Sequence, residues 1–127
     1  MAYQFKKHYT RDEAQALLPE VRKWLEQLAR LQTRLQQSDE RLSALIEPGC
    51  DAGGSLVNNG VRLLAEMRGV LDEFHRREVL VKDIDRGLVD FPAIIDGKEV
   101  LLCWEKDEES IEFWHDLDSG YAGRERL

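Results

Sequence analysis

Cysteine, proline and methionine are scarce in this chain, at two, three and two residues of 127. Cys50 stands beside glycines and Cys103 inside an apolar run, contexts that read as free thiols in a reducing compartment, not as a bridge. A chain of this length buries a core without disulfide or metal staples. Long hydrophobic runs are also missing. Charges interrupt every apolar stretch before the roughly 20 residues that a membrane helix needs. The opening Met1-Ala2-Tyr3-Gln4-Phe5-Lys6-Lys7-His8 lacks the apolar core of a secretion signal. Cytoplasmic residence without a membrane partner is the expectation. An excess of positive charge is absent too, since the formal net charge is −7. Residues 1–78 hold 12 Lys/Arg against 12 Asp/Glu, whereas residues 79–127 hold 6 against 13. Such a surface repels phosphate backbones, so no nucleic-acid partner is expected, and cations or a basic protein surface fit better.

What remains is ordinary globular composition, 43% hydrophobic and 34% charged, which argues against disorder. A single α+β domain over residues 1–127 is expected: a long antiparallel helical hairpin at about 10–78, then an acidic three- to four-stranded antiparallel β-meander and tail at about 79–127. Tyr9-Thr10-Arg11-Asp12-Glu13 reads as a helix start, with Thr10 as cap and Glu13 closing a capping box. Pro19 interrupts the pattern and predicts a short helix to about Leu17 with a new one from Pro19, or one kinked helix. Beyond it, Val21, Leu28, Leu35 and Leu42 interleave with Leu17, Trp24, Leu31, Ser38 and Leu45 at alternating gaps of four and three, as in a coiled-coil seam.

Glu47 to Gly54 breaks the helix and Ser55 can cap the next. Leu56 to about Arg77 is the second helix, with Val57, Val61, Leu64, Met67, Leu71 and Phe74 on its expected buried side. Gly60 and Gly69 inside it each cost roughly 1 kcal/mol against alanine and are read as marks of close helix crossings. From Val79 the pattern changes to β: Val79–Val81, Gly87–Ile95, Glu99–Glu105 and Ile111–Trp114, followed by a glycine-containing tail from Ser119 to Leu127.

Asp96-Gly97 is a two-residue hairpin signal, and that turn places Asp90 opposite Cys103. Val89, Phe91, Ala93, Val100, Leu102 and Trp104 then fall on the other face, toward the helices. The second turn is open. A two- or four-residue turn pairs Cys103 with Trp114, and a three-residue turn or bulge pairs it with His115. In the latter register Asp90, Cys103 and His115 converge, with Glu105 or Glu108 as a fourth ligand or supporting partner. Carboxylate, thiolate and imidazole form a donor set for zinc or another divalent transition metal. Against this, a lone cysteine between Leu102 and Trp104 is commonly a small buried hydrophobe, and no CxxC or HExxH spacing supports a metal. The same three residues as a nucleophilic triad lack any activating context.

Asp83-Ile84-Asp85-Arg86-Gly87 starts like a calcium loop, but its glycine is one place early and Ile94 stands where the final Glu belongs. Gly49 to Ser55 lacks the lysine of a phosphate-binding loop, and Asp107-Glu108-Glu109 reads most simply as a solvated turn, with cation binding as a lesser option.

Several blocks carry a resemblance. They are Val81-Lys82-Asp83-Ile84-Asp85-Arg86-Gly87-Leu88-Val89-Asp90-Phe91-Pro92, Val100-Leu101-Leu102-Cys103-Trp104 with Glu108, Trp114-His115-Asp116, and Gly120-Tyr121-Ala122-Gly123-Arg124. Together with Phe5, Tyr9-Thr10, Glu13-Ala14 and Leu17-Leu18-Pro19, this chain resembles the small bacterial proteins grouped as domain-of-unknown-function family 2203. The resemblance implies a bacterial cytoplasmic protein and implies no activity. The family-like polar positions are Asp83, Asp90, Cys103, Glu108, His115 and Arg124.

The functional expectation is a non-catalytic interaction module that self-associates through its helices. The alternative is a metal-binding or metal-dependent protein using the sheet cluster. A continuous helix from Pro19 to Ile46 would run about 42 Å, past the roughly 36 Å diameter of a compact domain of this size. The expected partner is therefore a second copy, the two hairpins packing as a four-helix bundle.

Overall fold

A computed structural model describes residues 2–45 and 54–127. Two helices, α1 (Arg11–Leu45) and α2 (Gly54–Arg76), precede an antiparallel sheet of β1 (Leu80–Asp83), β2 (Leu88–Ile95), β3 (Lys98–Glu105), β4 (Phe113–Asp116) and β5 (Glu125–Arg126). The strands lie in chain order, a plain meander. The α+β reading holds, with one more strand than expected. Residues of the presumed tail fold into a 3-10 turn at Tyr121–Gly123 and the short strand β5 against β4. The Glu47–Gly53 break, Cys50, and the side chains of Leu42, Leu45 and Ser55 lie outside the described residues.

The capping box forms as read. Thr10 Oγ1 accepts from the Glu13 N–H at 3.1 Å, and Glu13 Oε1 accepts from the Thr10 N–H at 3.0 Å. Pro19 does not divide the helix, since α1 runs through it with the proline exposed. Leu18 stays helical and buried just before it. Tertiary packing overrides the local preference there, because the stripe Ala14, Leu18, Val21, Leu25 and Leu28 is sealed against the sheet. Leu18 and Leu25 were outside the heptad series, and the sheet is what broadens the buried stripe to include them.

On α2 the inward face is Leu63, Met67, Val70 and Phe74, not the stripe expected. Phe74 and the half-buried Met67 and Leu71 keep their places, but Val57, Val61 and Leu64 are 46%, 61% and 54% exposed. The core explains the offset. The main cluster draws on α1 no further out than Leu28 and on α2 no further out than Met67, so the hairpin's distal part has only its own two helices to pack. Among the described residues Gly60 and Gly69 are not crossing points, since a Cβ on either would meet nothing within 4 Å. No described helix is long and apolar enough to cross a membrane.

The sheet presents Val89, Phe91, Ala93, Val100, Leu102 and Trp104 to α1 and α2, all buried and all in the core cluster. Arg22 from α1 stacks over the Trp104 ring at 4.8 Å and donates to the carbonyls of Lys106 and Glu108. Asp96 and Gly97 both take positive φ, 51° and 77°, as a two-residue turn matched to strand twist requires. Pro92 costs β2 no ladder bond on its outer side, where the N-terminal arm takes over from β1. Tyr9 donates its N–H to the Pro92 carbonyl at 2.7 Å.

Candidate metal centre

Alternation along β2 and β3 brings Asp90 and Cys103 side by side on the sheet face away from the helices, as the hairpin demands. The register of β4 is neither of the two considered. Cys103 pairs with Phe113, and His115 pairs with Leu101. The β3–β4 connection is longer than a tight turn because Ile111 is drawn into the core at 0% exposure. It is held there by a bond from its N–H to Gln15 Oε1 on α1, at 3.1 Å. The shift relative to the His115 register is two residues, an even number, so His115 remains on the face of Cys103 and Asp90.

These three side chains are buried, at 2% exposure for Asp90, 0% for Cys103 and 2% for His115. One ligand atom from each lies within 4.8 Å of the others. His115 Nε2 is 3.0 Å from Asp90 Oδ2, and His115 Nδ1 is 2.7 Å from the Asp116 carbonyl oxygen. A carbonyl only accepts, so Nδ1 carries a proton. The other ring nitrogen, Nε2, faces a carboxylate oxygen, and a proton or a cation must lie between the two atoms. Among the described residues Asp90 Oδ1 is buried with no hydrogen-bond partner within normal distance, and the Cys103 thiol is the polar group beside the carboxylate.

Burial raises the Asp90 carboxyl above the usual range, and the charges of His115 and Lys82 offset only part of that rise. The Cys103 thiol is pushed up to about 12, first by burial and then by the Asp90 charge, while the Arg124 guanidinium pulls the other way. Without a cation the thiol is thus protonated at neutral pH and no nucleophile, which argues against the triad chemistry.

Glu105 and Glu108 are near neighbours but stand outside the cluster of candidate ligands. Glu105 pairs with Arg86 Nε at 2.9 Å and accepts from the Tyr121 hydroxyl at 3.2 Å. That arginine bond is the main reason its carboxyl lies below the usual range. Glu108 pairs with Arg124 at 3.0 Å and accepts from the Glu105 N–H at 2.8 Å. Both carboxylates pair with arginines, and the structure groups neither with the three candidate ligands. Arg124 also stacks on the rings of Phe113 at 3.9 Å and Tyr121 at 4.3 Å. The Asp116 carbonyl, which sets the His115 tautomer, is a backbone group and left no mark in the sequence.

The family model described as an uncharacterized conserved protein (DUF2203) matches residues 7–127. No curated protein and no solved structure matches the chain.

Proposed function

The chain belongs to the DUF2203 family of uncharacterized conserved proteins, and we propose that it is a non-catalytic protein binding one divalent transition-metal ion through Asp90, Cys103 and His115. The observation that carries this reading is the convergence of three buried donor groups, with His115 Nε2 at 3.0 Å from Asp90 Oδ2 and the Cys103 thiol beside them. An ion between His115 and Asp90 would displace the proton they share and bond both. The bond from Nδ1 to the Asp116 carbonyl is the outer support that metal-binding histidines commonly have. Thiolate and imidazole favour zinc or cobalt over magnesium or calcium, which take oxygen ligands. Asp90 Oδ1 supplies a fourth donor atom if the carboxylate chelates. Donor atoms around a zinc ion stand about 3.3–3.8 Å apart, from bond lengths of about 2.0–2.3 Å. The Asp90–His115 edge is close to that, and the thiol has only a short approach to make within the 4.8 Å cluster. The ion would tie β2, β3 and β4 together, a structural role suited to a buried site.

The test is metal content and cobalt absorption on protein purified without a histidine tag. One zinc or cobalt per chain is expected, with a thiolate-to-cobalt charge-transfer band. Cys103→Ser removes the band, His115→Gln lowers the stoichiometry, and Glu105→Gln changes neither. Failure of metal-free protein to take up zinc or cobalt stoichiometrically would overturn the reading.

A further inference from the structure

The distal half of the hairpin carries an apolar stripe that nothing in the described chain covers. Val57, Val61 and Leu64 recur at the gaps of four and three that keep side chains on one side of a helix, and all three are about half exposed. Gly60 sits beside them on α2. Inside a helix a glycine is unfavourable against alanine, and a close backbone approach usually accounts for it. No such approach exists among the described residues, where a Cβ at Gly60 would meet nothing within 4 Å. The stripe and the notch share one face, and neither has a partner among the described residues. The α1 seam is not the free surface, since Leu28 and Leu31 are already buried by their own chain.

We infer that this face of α2 docks against the same face of a second copy of this chain, through an antiparallel crossing at Gly60. The pattern is self-complementary. A two-fold axis between Gly60 and Val61 sets Val57 on the partner's Leu64 and places Val61 over the notch at the partner's Gly60. An isologous contact requires that kind of reciprocity, and an unrelated partner would have no need of it. Charge agrees with this occupant. Arg62, Arg68 and Arg76 on α2 balance Glu66, Asp72 and Glu73, so the two helices meet without net repulsion. The antiparallel crossing also carries the two acidic sheet regions, which hold all of the −7, to opposite ends of the pair. A basic partner would be drawn to those sheet regions and not to a balanced helix.

Sedimentation velocity from low to high micromolar concentration tests the inference with the full chain. The wild type should move from the 14.7 kDa monomer to twice that mass as concentration rises. Val61→Glu buries a charge in the crossing and Gly60→Leu fills its notch. Both should weaken dimerisation at least tenfold while far-UV circular dichroism and the melting temperature of the monomer stay near wild type. Val61 is exposed, and a Cβ at Gly60 meets no described atom within 4 Å, so folding is not expected to suffer. Lys82→Glu, on β1, is the control and should leave the association unchanged. A wild type that stays monomeric throughout, as it would if its own 46–53 segment covered the stripe, overturns the inference. So does a dimer whose mass survives both α2 substitutions, because another face would then hold it together.

Discussion

Asp90 and His115 meet across an intervening strand: Asp90 belongs to β2, His115 to β4, and their side chains lie 3.0 Å apart beside Cys103 of β3. Both side chains are 2% exposed, so the pair is sealed from water. Removing one partner of a buried pair strands the other, at a typical cost of about 3–5 kcal/mol. His115→Leu in chelator-treated protein should destabilise by about that amount in urea unfolding. The double variant Asp90→Val with His115→Leu should cost less than His115→Leu alone, since no buried polar group is left unpaired. Additive costs would show that the two residues do not act on each other.

Trp104 unites the sheet and the first helix. Its ring is fully buried under Arg22, and its indole N–H donates to the Glu108 carbonyl at 3.0 Å. Trp104→Ala should lose about 3–5 kcal/mol through the cavity it leaves. Trp104→Phe retains most of the packing and loses that hydrogen bond, for about 1–2 kcal/mol. Thermal and denaturant unfolding separate the two. Equal losses would mean that the hydrogen bond, not the packing, dominates.

The sheet was far more legible than the helices, for a physical reason. A period of two and a turn with only one common geometry, Asp96-Gly97, fix both the pleat and the Asp90–Cys103 pairing from local residues alone. The β4 register was not legible, because it depends on Ile111 and its long-range bond to Gln15 on α1. The even parity of the shift is what kept His115 on the predicted face. On α2, Leu63 and Leu64 are chemically equivalent, and packing against α1 decides which one turns inward. Arg124 and Glu108 were visible as polar positions, but their pairing depends on how the last residues fold back over the sheet.

The N-terminal arm is held by a carboxylate that should release it in acid. Glu99 accepts from the Gln4 and Phe5 N–H groups at 2.8 and 3.0 Å and lies 2.7 Å from His8 Nε2. Burial pushes the Glu99 carboxyl up, but His8 and the two N–H groups together pull it further down, and the net is a lowered value. The unfolded chain therefore binds more protons here at mildly acid pH. The stabilisation is complete above the unfolded value of about 4.3 and is lost as pH falls through the folded one. Wild type should exceed Glu99→Gln in stability above about pH 5, and the gap should narrow toward pH 3. Hydrogen exchange at Gln4 and Phe5 should quicken over the same window. A gap independent of pH would show that the ionised carboxylate is not what fastens the arm.

Access to Cys103 should be governed by Arg124. The thiol is fully buried and pushed up to about 12, so in the folded chain it is neither exposed nor ionised. Arg124 lies beside it, pinned by Glu108 and stacked between the Phe113 and Tyr121 rings, on the segment that closes the outer face of the sheet. Replacing that side chain by alanine removes the ion pair and both stacking contacts at once. It also removes the Arg124 charge, which favours the thiolate. The two effects oppose each other for a thiol reagent. Opening raises access, and loss of the guanidinium lowers the thiolate fraction. Access dominates, because a residue at 0% exposure reacts only during openings, and a weaker cover makes openings more frequent. In a Cys50→Ser background, metal-free wild type should label slowly with a thiol reagent, and Arg124→Ala should label at least tenfold faster, with Cys103 identified by mass spectrometry. Arg124→Lys retains the charge but loses the planar stacking and should fall between them. If Arg124→Ala labels at the wild-type rate, the last residues do not gate this thiol, and its protection comes from the sheet alone.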